Sequence, residues 1–283
     1  MSKKGLIFLI KSGDYMSDIY IILLACVPLG VIAGFAAGLF GIGGGAVIVP
    51  ALYFLFSALD YDASFTMHMA VGTSLVTIIP TAISSSLTHY RHGAIAMPWF
   101  FSLVGGIAIG AVAGGLLALS LPGDLLRKIF AVLLAIMAGL MLIGKPKNGD
   151  ESSEINMFLN AAYGVFSGII SALIGIGGAT LNVPYMVKKG LAINKAIATA
   201  SLLGLCVALP ASFVFLFTNN VAAEHSGVAF SFGYIHLLAA AGIVSASMIS
   251  AKYGAKLTHS VDASKLKYAF AAFMVLVAIK MLF

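Results

Sequence analysis

Two stretches, GIGGGAVIVP at residues 41–50 and GIGGATLNVP at residues 175–184, decide how this chain is read. They match at an offset of 134 positions, and each interrupts an apolar run with a cluster of glycines. Glycine inside a helix costs about 1 kcal/mol relative to alanine, so several together break it. The same spacing recurs outward from the motifs. GTSL at 72–75 corresponds to TASL at 199–202, and RKIFAVLLAIMAGLMLI at 127–143 corresponds to KYAFAAFMVLVAIKMLF at 267–283. The chain is therefore a duplication. Repeat 1 covers residues 19–144 and repeat 2 covers 157–283. A polar linker, 145–156, joins them, and an N-terminal extension, 1–18, precedes them.

Composition identifies the solvent. Of the 283 residues, 61% are hydrophobic and only 9% are charged, with a mean hydropathy of +1.07. A soluble domain normally carries about 25% charged residues, and this chain cannot build that shell. Five apolar segments lie in each half: Ile19–Phe40, Ala46–Phe56, Thr66–His89, Met97–Leu119 and Leu125–Ile143, then Met157–Ile174, Ala179–Val187, Lys195–Phe217, Gly233–Leu257 and Lys265–Phe283. A span needs roughly 20 such residues. The reading is an all-α integral membrane protein in the lipid bilayer.

The net charge of +6 comes from Lys and Arg in the short segments between apolar runs. That placement fits orientation by cytoplasmic basic residues and excludes a nucleic-acid partner. Cys26 and Cys206 lie inside apolar segments, and no Cys/His spacing points to a metal. The segment interiors hold no Asp or Glu, so no paired carboxylates or catalytic triad are expected. The sequence reads as a non-enzyme with no cofactor. GIGGGA also satisfies a dinucleotide-binding pattern, but that motif needs a preceding strand and a βαβ unit.

Length sets the topology. The stretch 157–187 is too short for two spans, and its counterpart 19–56 is slightly short for two spans and a turn. A re-entrant hairpin fits both: two helices meet at the glycine motif inside the membrane. Each half then has a Gly-broken helix pair plus three crossing helices, and the repeats are inverted. With both termini outside, ten of the sixteen Lys and Arg lie on the cytoplasmic side. A competing arrangement has four crossings per half and parallel copies, and hydropathy alone counts about eight spans.

The break also suggests chemistry. A helix starting after it presents free N–H groups and the positive end of its dipole, which suits an anion. The candidate substrate-binding residues are Gly43, Gly44, Gly45, Gly177 and Gly178, with side-chain hydrogen bonds from Thr180 and Asn182. Thr73, Ser74, Thr199 and Ser201, at matching points of the third segments, can line a pocket beside the breaks or bond carbonyls of their own helices. His68, Arg91 and Lys195 are the ionisable candidates for coupling or gating, set against an interface-anchor role. Gly30, Gly34 and Gly38, like Gly106, Gly110 and Gly114, have the spacing of helix-packing faces.

The doubled motif, GIGGGAVIVP and GIGGATLNVP, together with AVGTSL at 70–75 and ATASL at 198–202, resembles the TauE/SafE family of anion exporters across residues 20–283. The resemblance implies secondary export of sulfite, sulfoacetate or a related organosulfonate from the bacterial cell across its inner membrane. An anion channel, or uptake of another small sulfur compound, is the alternative. The second copy departs from the pattern at Ala179 and Ala200, so the site need not be symmetric. A lipid-facing surface and a homodimer face look alike in sequence, and oligomeric state stays open.

Overall fold

The computed structural model describes residues 3–41, 43–143, 155–218, 228, 230–258 and 264–283. Most of the 145–156 linker lies outside the described residues. There are ten helices among them: α1 (Lys3–Phe40), α2 (Gly45–Ala58), α3 (Ala63–Arg91), α4 (Met97–Ser120), α5 (Gly123–Ile143), α6 (Met157–Leu173), α7 (Ala179–Lys188), α8 (Ile193–Phe217), α9 (Leu237–Leu257) and α10 (Ser264–Leu282). Helices α1–α5 and α6–α10 correspond one to one. The first helix begins at Lys3, ahead of the Ile19 boundary read from sequence. Five described helices are long and apolar enough to cross a membrane: α3, α4, α8, α9 and the Ile19–Phe40 part of α1.

Local signals set the starts. The Asp62 carboxylate accepts from Ser64 N at 2.8 Å and caps α3, a bond that holds its carboxyl below the usual range. Asn156 accepts from Leu159 N at 3.0 Å and caps α6, while Pro98 stands in the first turn of α4. One departure from an all-helical chain precedes α9. Ser231–Phe232 pairs antiparallel with Ile235–His236, around Gly233 at φ +55°. The apolar segment starting at Gly233 therefore opens with a turn and a two-residue strand before its helix.

Packing crosses between the repeats. Helix α1 lies along α9, and α6 lies along α4, as the two most extensive helix contacts. Gly30, Gly34 and Gly38 face the backbone at Ile243, Ser247 and Ala251, so α1 and α9 run parallel. Gly106, Gly110 and Gly114 face Ala161, Val165 and Ile169 in the same sense. A Cβ at any of these six would overlap a backbone carbonyl oxygen. Lipid tails are as apolar as the helices, so close backbone approach, rather than water exclusion, holds such pairs.

The third helices pack on each other and run antiparallel. Gly72 meets Phe215, Ile78 packs with Ala208, and Ser85 Oγ lies 3.3 Å from Ser201 Oγ. The fifth helices do likewise, with Arg127 at the start of α5 donating to Met281 O at the end of α10.

Gly110→Ala and Gly34→Ala should each destabilise the protein by about 1–3 kcal/mol through overpacking. Gly105→Ala should be nearly neutral, since open space surrounds that position. Thermal unfolding in detergent measures the difference.

Candidate functional site

Each first helix ends where its glycine motif turns the chain back. Tyr163, on α6, stacks on Tyr185, on α7, with ring centroids 3.7 Å apart and planes at 8°. The Tyr163 hydroxyl donates to Leu181 O at 2.8 Å, and the Tyr185 hydroxyl donates to Asn160 Oδ1 at 2.7 Å. Residues ten positions before the end of α6 thus meet residues a few positions into α7, which makes a helical hairpin. In repeat 1, Gly44 likewise returns to Ala33.

The last glycine of the turn has one conformation in both copies. Gly44 has φ 78° and ψ −12°; Gly178 has φ 78° and ψ −14°. This left-handed region disfavours any residue with a Cβ. Each of these glycines opens the next helix: Val47 N and Ile48 N bond to Gly44 O, and Leu181 N and Asn182 N bond to Gly178 O. The N–H groups just ahead of those have no partner inside the helix.

The two hairpin tips touch. A Cβ at Gly43 would lie 3.0 Å from Gly177 Cα, and one at Gly45 would overlap Gly175 O. Gly45 has no room for a side chain, whereas its counterpart Ala179 keeps one in a buried position. The departure from the glycine pattern at Ala179 is therefore local steric allowance. Gly204 of α8 comes equally close to Gly177 O.

The hydroxyls of the third helices hold this centre together. Ser74 donates to Gly175 O at 2.9 Å, joining α3 to the break of the other repeat. Its counterpart Ser201 lies beside Gly41 and within 3.3 Å of Ser85 Oγ. Thr73 accepts from His236 N at 2.9 Å, at the start of α9. Thr199 accepts from Ala96 N at 3.0 Å, at the start of α4, and donates to Lys195 O at 2.7 Å. So Thr73 and Thr199 do matching work, each fixing the first turn of the other repeat's fourth helix.

The ionisable candidates stand apart from the tips. His68 is buried, and its Nε2 lies 3.2 Å from Ala118 O and 3.0 Å from Leu121 O. Two carbonyl acceptors make that nitrogen the donor, so the ring closes the end of α4 rather than anchoring an interface. Arg91 is exposed at the end of α3, and Lys195 is half-buried near the start of α8.

Of the two tips, only that of repeat 2 carries, among the described residues, buried side-chain polar atoms without a hydrogen bond; away from the tips His68 Nδ1, Ser86 Oγ and Ser212 Oγ, on the third helices, also have none. Ser171 Oγ, Thr180 Oγ1, Asn182 Nδ2 and Asn182 Oδ1 are buried with no hydrogen bond to protein. The three residues are 0%, 7% and 0% exposed. A Cβ on Gly178 would lie 3.1 Å from Asn182 Nδ2 and 3.3 Å from Ser171 Oγ, so those two side chains border one point beside the first turn of α7, and Thr180 stands in that same turn. Buried polar atoms in native proteins are nearly always satisfied, and exceptions need a reason. The repeat 1 counterparts are Ala37, Ala46 and Ile48, all apolar and buried. The residues 158–187 contain no charged side chain. Ser171 escaped the reading by motif, although a comparison of the two copies position by position marks it as a buried serine opposite an alanine.

A family model described as "Sulfite exporter TauE/SafE" matches residues 26–281. The chain belongs to that family. Over 262 residues it is 34% identical to a probable membrane transporter protein of Haemophilus influenzae, covering 92% of this chain and 97% of the relative. A probable membrane transporter protein of Methanocaldococcus jannaschii is 27% identical over 256 residues, 86% of this chain and 91% of its own. YdhB, a probable membrane transporter protein of Bacillus subtilis, is 31% identical over 188 residues, 64% of this chain and 72% of its own. No solved structure matches. This TauE/SafE member is a multi-pass membrane protein of a transporter family.

Thr73→Val and Thr199→Val each leave a backbone N–H without its acceptor. Each should cost about 1–3 kcal/mol, the penalty for an unsatisfied buried group. Thermal unfolding of the two variants should give similar losses, because the two threonines hold equivalent helix starts.

Proposed function

We propose that this TauE/SafE protein is a secondary transporter that exports a small sulfur-containing oxyanion across the bacterial inner membrane. The observation that carries the reading is the set of unpartnered polar atoms of Ser171, Thr180 and Asn182 at the start of α7. They supply neutral donors where the helix dipole also favours negative charge. Gly177 and Gly178 let an anion approach the backbone there. Gly43, Gly44 and Gly45 form the opposing tip. Ser74, Ser201, Thr73 and Thr199 shape and brace the pocket. The family description supplies the sulfur oxyanion class and the direction of transport. The same polar class would serve an anion channel, but tips packed against each other favour alternating access over a standing pore.

The repeats are inverted in this reading. Equivalent helices that run antiparallel, α3 against α8 and α5 against α10, support one copy lying upside down relative to the other. The hairpins are re-entrant. Helices α2 and α7 have 14 and 10 residues. At 1.5 Å per residue they reach only about 21 and 15 Å, against a hydrocarbon core of about 30 Å. Backbone broken at membrane depth is tolerated where protein or a polar cavity surrounds it, as in other transporters built from repeats.

The internal repeat supplies its own test. Ser171→Ala, Thr180→Ala and Asn182→Ile together give repeat 2 the residues that repeat 1 already carries at these places. The triple variant should fold and insert, and sulfite efflux from proteoliposomes should fall at least about tenfold, as expected when several hydrogen bonds to a charged ligand are lost. Saturable flux in the unaltered protein supports a transporter; linear, channel-like flux contradicts it. Topology has a separate test. Asn148→Cys and Lys189→Cys should both react with a membrane-impermeant thiol reagent from the cytoplasmic side. Labelling from opposite sides means parallel copies.

A further inference from the structure

The donor and acceptor inventory of this site narrows its ligand. Ser171 Oγ and Thr180 Oγ1 can each donate or accept. The free N–H groups at the start of α7 only donate. The Asn182 amide does both, through Nδ2 and Oδ1, and neither atom has a protein partner. Rotating that amide by half a turn exchanges the two atoms, so one unpaired acceptor remains in either orientation. Asn182 is fully buried.

A fully deprotonated oxyanion offers only acceptors. It pairs with the hydroxyls, the amide N–H groups and the backbone, but it leaves the amide oxygen unpaired with negative charge beside it. Neither the α6–α7 hairpin nor the interior of α8 supplies a cation to offset that repulsion: residues 158–187 contain no Lys or Arg, and in α8 only Lys195, near its start, is charged.

We propose that the repeat 2 site takes a small oxyanion that carries its own hydrogen-bond donor, such as a protonated oxyanion or a hydroxylated sulfonate. The ligand's charged oxygens face the α7 N-terminus, Ser171 and Thr180, and its O–H meets the Asn182 amide oxygen. Sites built around a ligand O–H discriminate strongly against the analogue that lacks it, because the buried acceptor is then left unpaired. This inference rests on the oxyanion reading of the site and adds the requirement for a donor.

The test uses two probes of equal charge and similar size, 2-hydroxyethanesulfonate and ethanesulfonate, with propanesulfonate as a control for bulk. The purified full-length protein is titrated with each, and the concentration giving half of the maximal thermal shift is read. The hydroxylated probe should act at a concentration lower by about tenfold or more. Propanesulfonate should behave as ethanesulfonate does. Asn182→Ile, matched to Ile48 of repeat 1, should bring the two probes to within about twofold, the residual left once the buried acceptor is gone. Asn182→Ala is the second variant should the isoleucine disturb folding, and it should do the same. Equal potency of the probes in the unaltered protein overturns the donor requirement and leaves the oxyanion reading standing. A preference that survives both substitutions also overturns it, since the amide is then not the acceptor. If no sulfonate shifts the unaltered protein at any concentration, the oxyanion reading falls and the donor requirement with it.

Discussion

If the hairpins are re-entrant as proposed, unpaired backbone in hydrocarbon is the constraint around which this molecule is organised. Each glycine motif ends one helix and starts another, releasing carbonyls on one side of the break and N–H groups on the other. Loose ends of this kind are tolerated at membrane depth only inside protein or a polar cavity. Both breaks are therefore enclosed. They lie against each other, with Gly43 on Gly177 and Gly45 on Gly175. The third helices wrap them, and Ser74 bonds directly to the Gly175 carbonyl. Helix α3 is the most enclosed of the membrane-length helices, with 72% of its apolar window buried, because it packs on α8 and covers the tips.

The crossed packing follows from that enclosure. If each repeat packed only on itself, the two tips would face different surroundings. Instead α1 pairs with α9 and α6 with α4, so every repeat is completed by the other. Thr73 and Thr199 state this at atomic scale. Thr73 sits one position and Thr199 two positions before its own repeat's motif serine, and each secures a helix start belonging to the other copy. A movement of one hairpin therefore cannot be confined to one repeat.

Much of this was legible in the sequence, and for specific reasons. The duplication showed because the glycines tolerate no substitute at φ near 78°, so the two motifs kept their letters. The hairpins followed from length alone: 31 residues in 157–187 cannot cross twice. The packing role of Gly106, Gly110 and Gly114 was set by their spacing. The roles of Thr73 and His68 were not legible, because their partners lie 163 and 50–53 positions away and belong to helix ends that no local pattern predicts. The turn and short strands ahead of α9 were hidden because Gly233–His236 runs into the apolar helix without a proline or a Lys, Arg, Asp or Glu to mark the boundary.

The asymmetry between the copies is the most informative difference between pattern and structure. Judged by glycine count, repeat 2 is the degraded copy, since Ala179 and Thr199 stand where repeat 1 has Gly45 and Gly72. Judged by buried polar atoms, it is the copy that retains chemistry, with Ser171, Thr180 and Asn182 where repeat 1 has Ala37, Ala46 and Ile48. The two measures answer different questions. Glycine content reports how closely the tips approach each other, and at position 45 it is dictated by a carbonyl of the other repeat. Unpaired side-chain atoms report what remains to be bound. Two identical polar tips in contact would place two clusters of donors side by side, and a single small anion would satisfy only one of them. An apolar first tip removes the surplus. In the proposed transporter it leaves repeat 1 as the wall and repeat 2 as the binding half, a division of labour that duplication makes available and the side chains at three positions bring about.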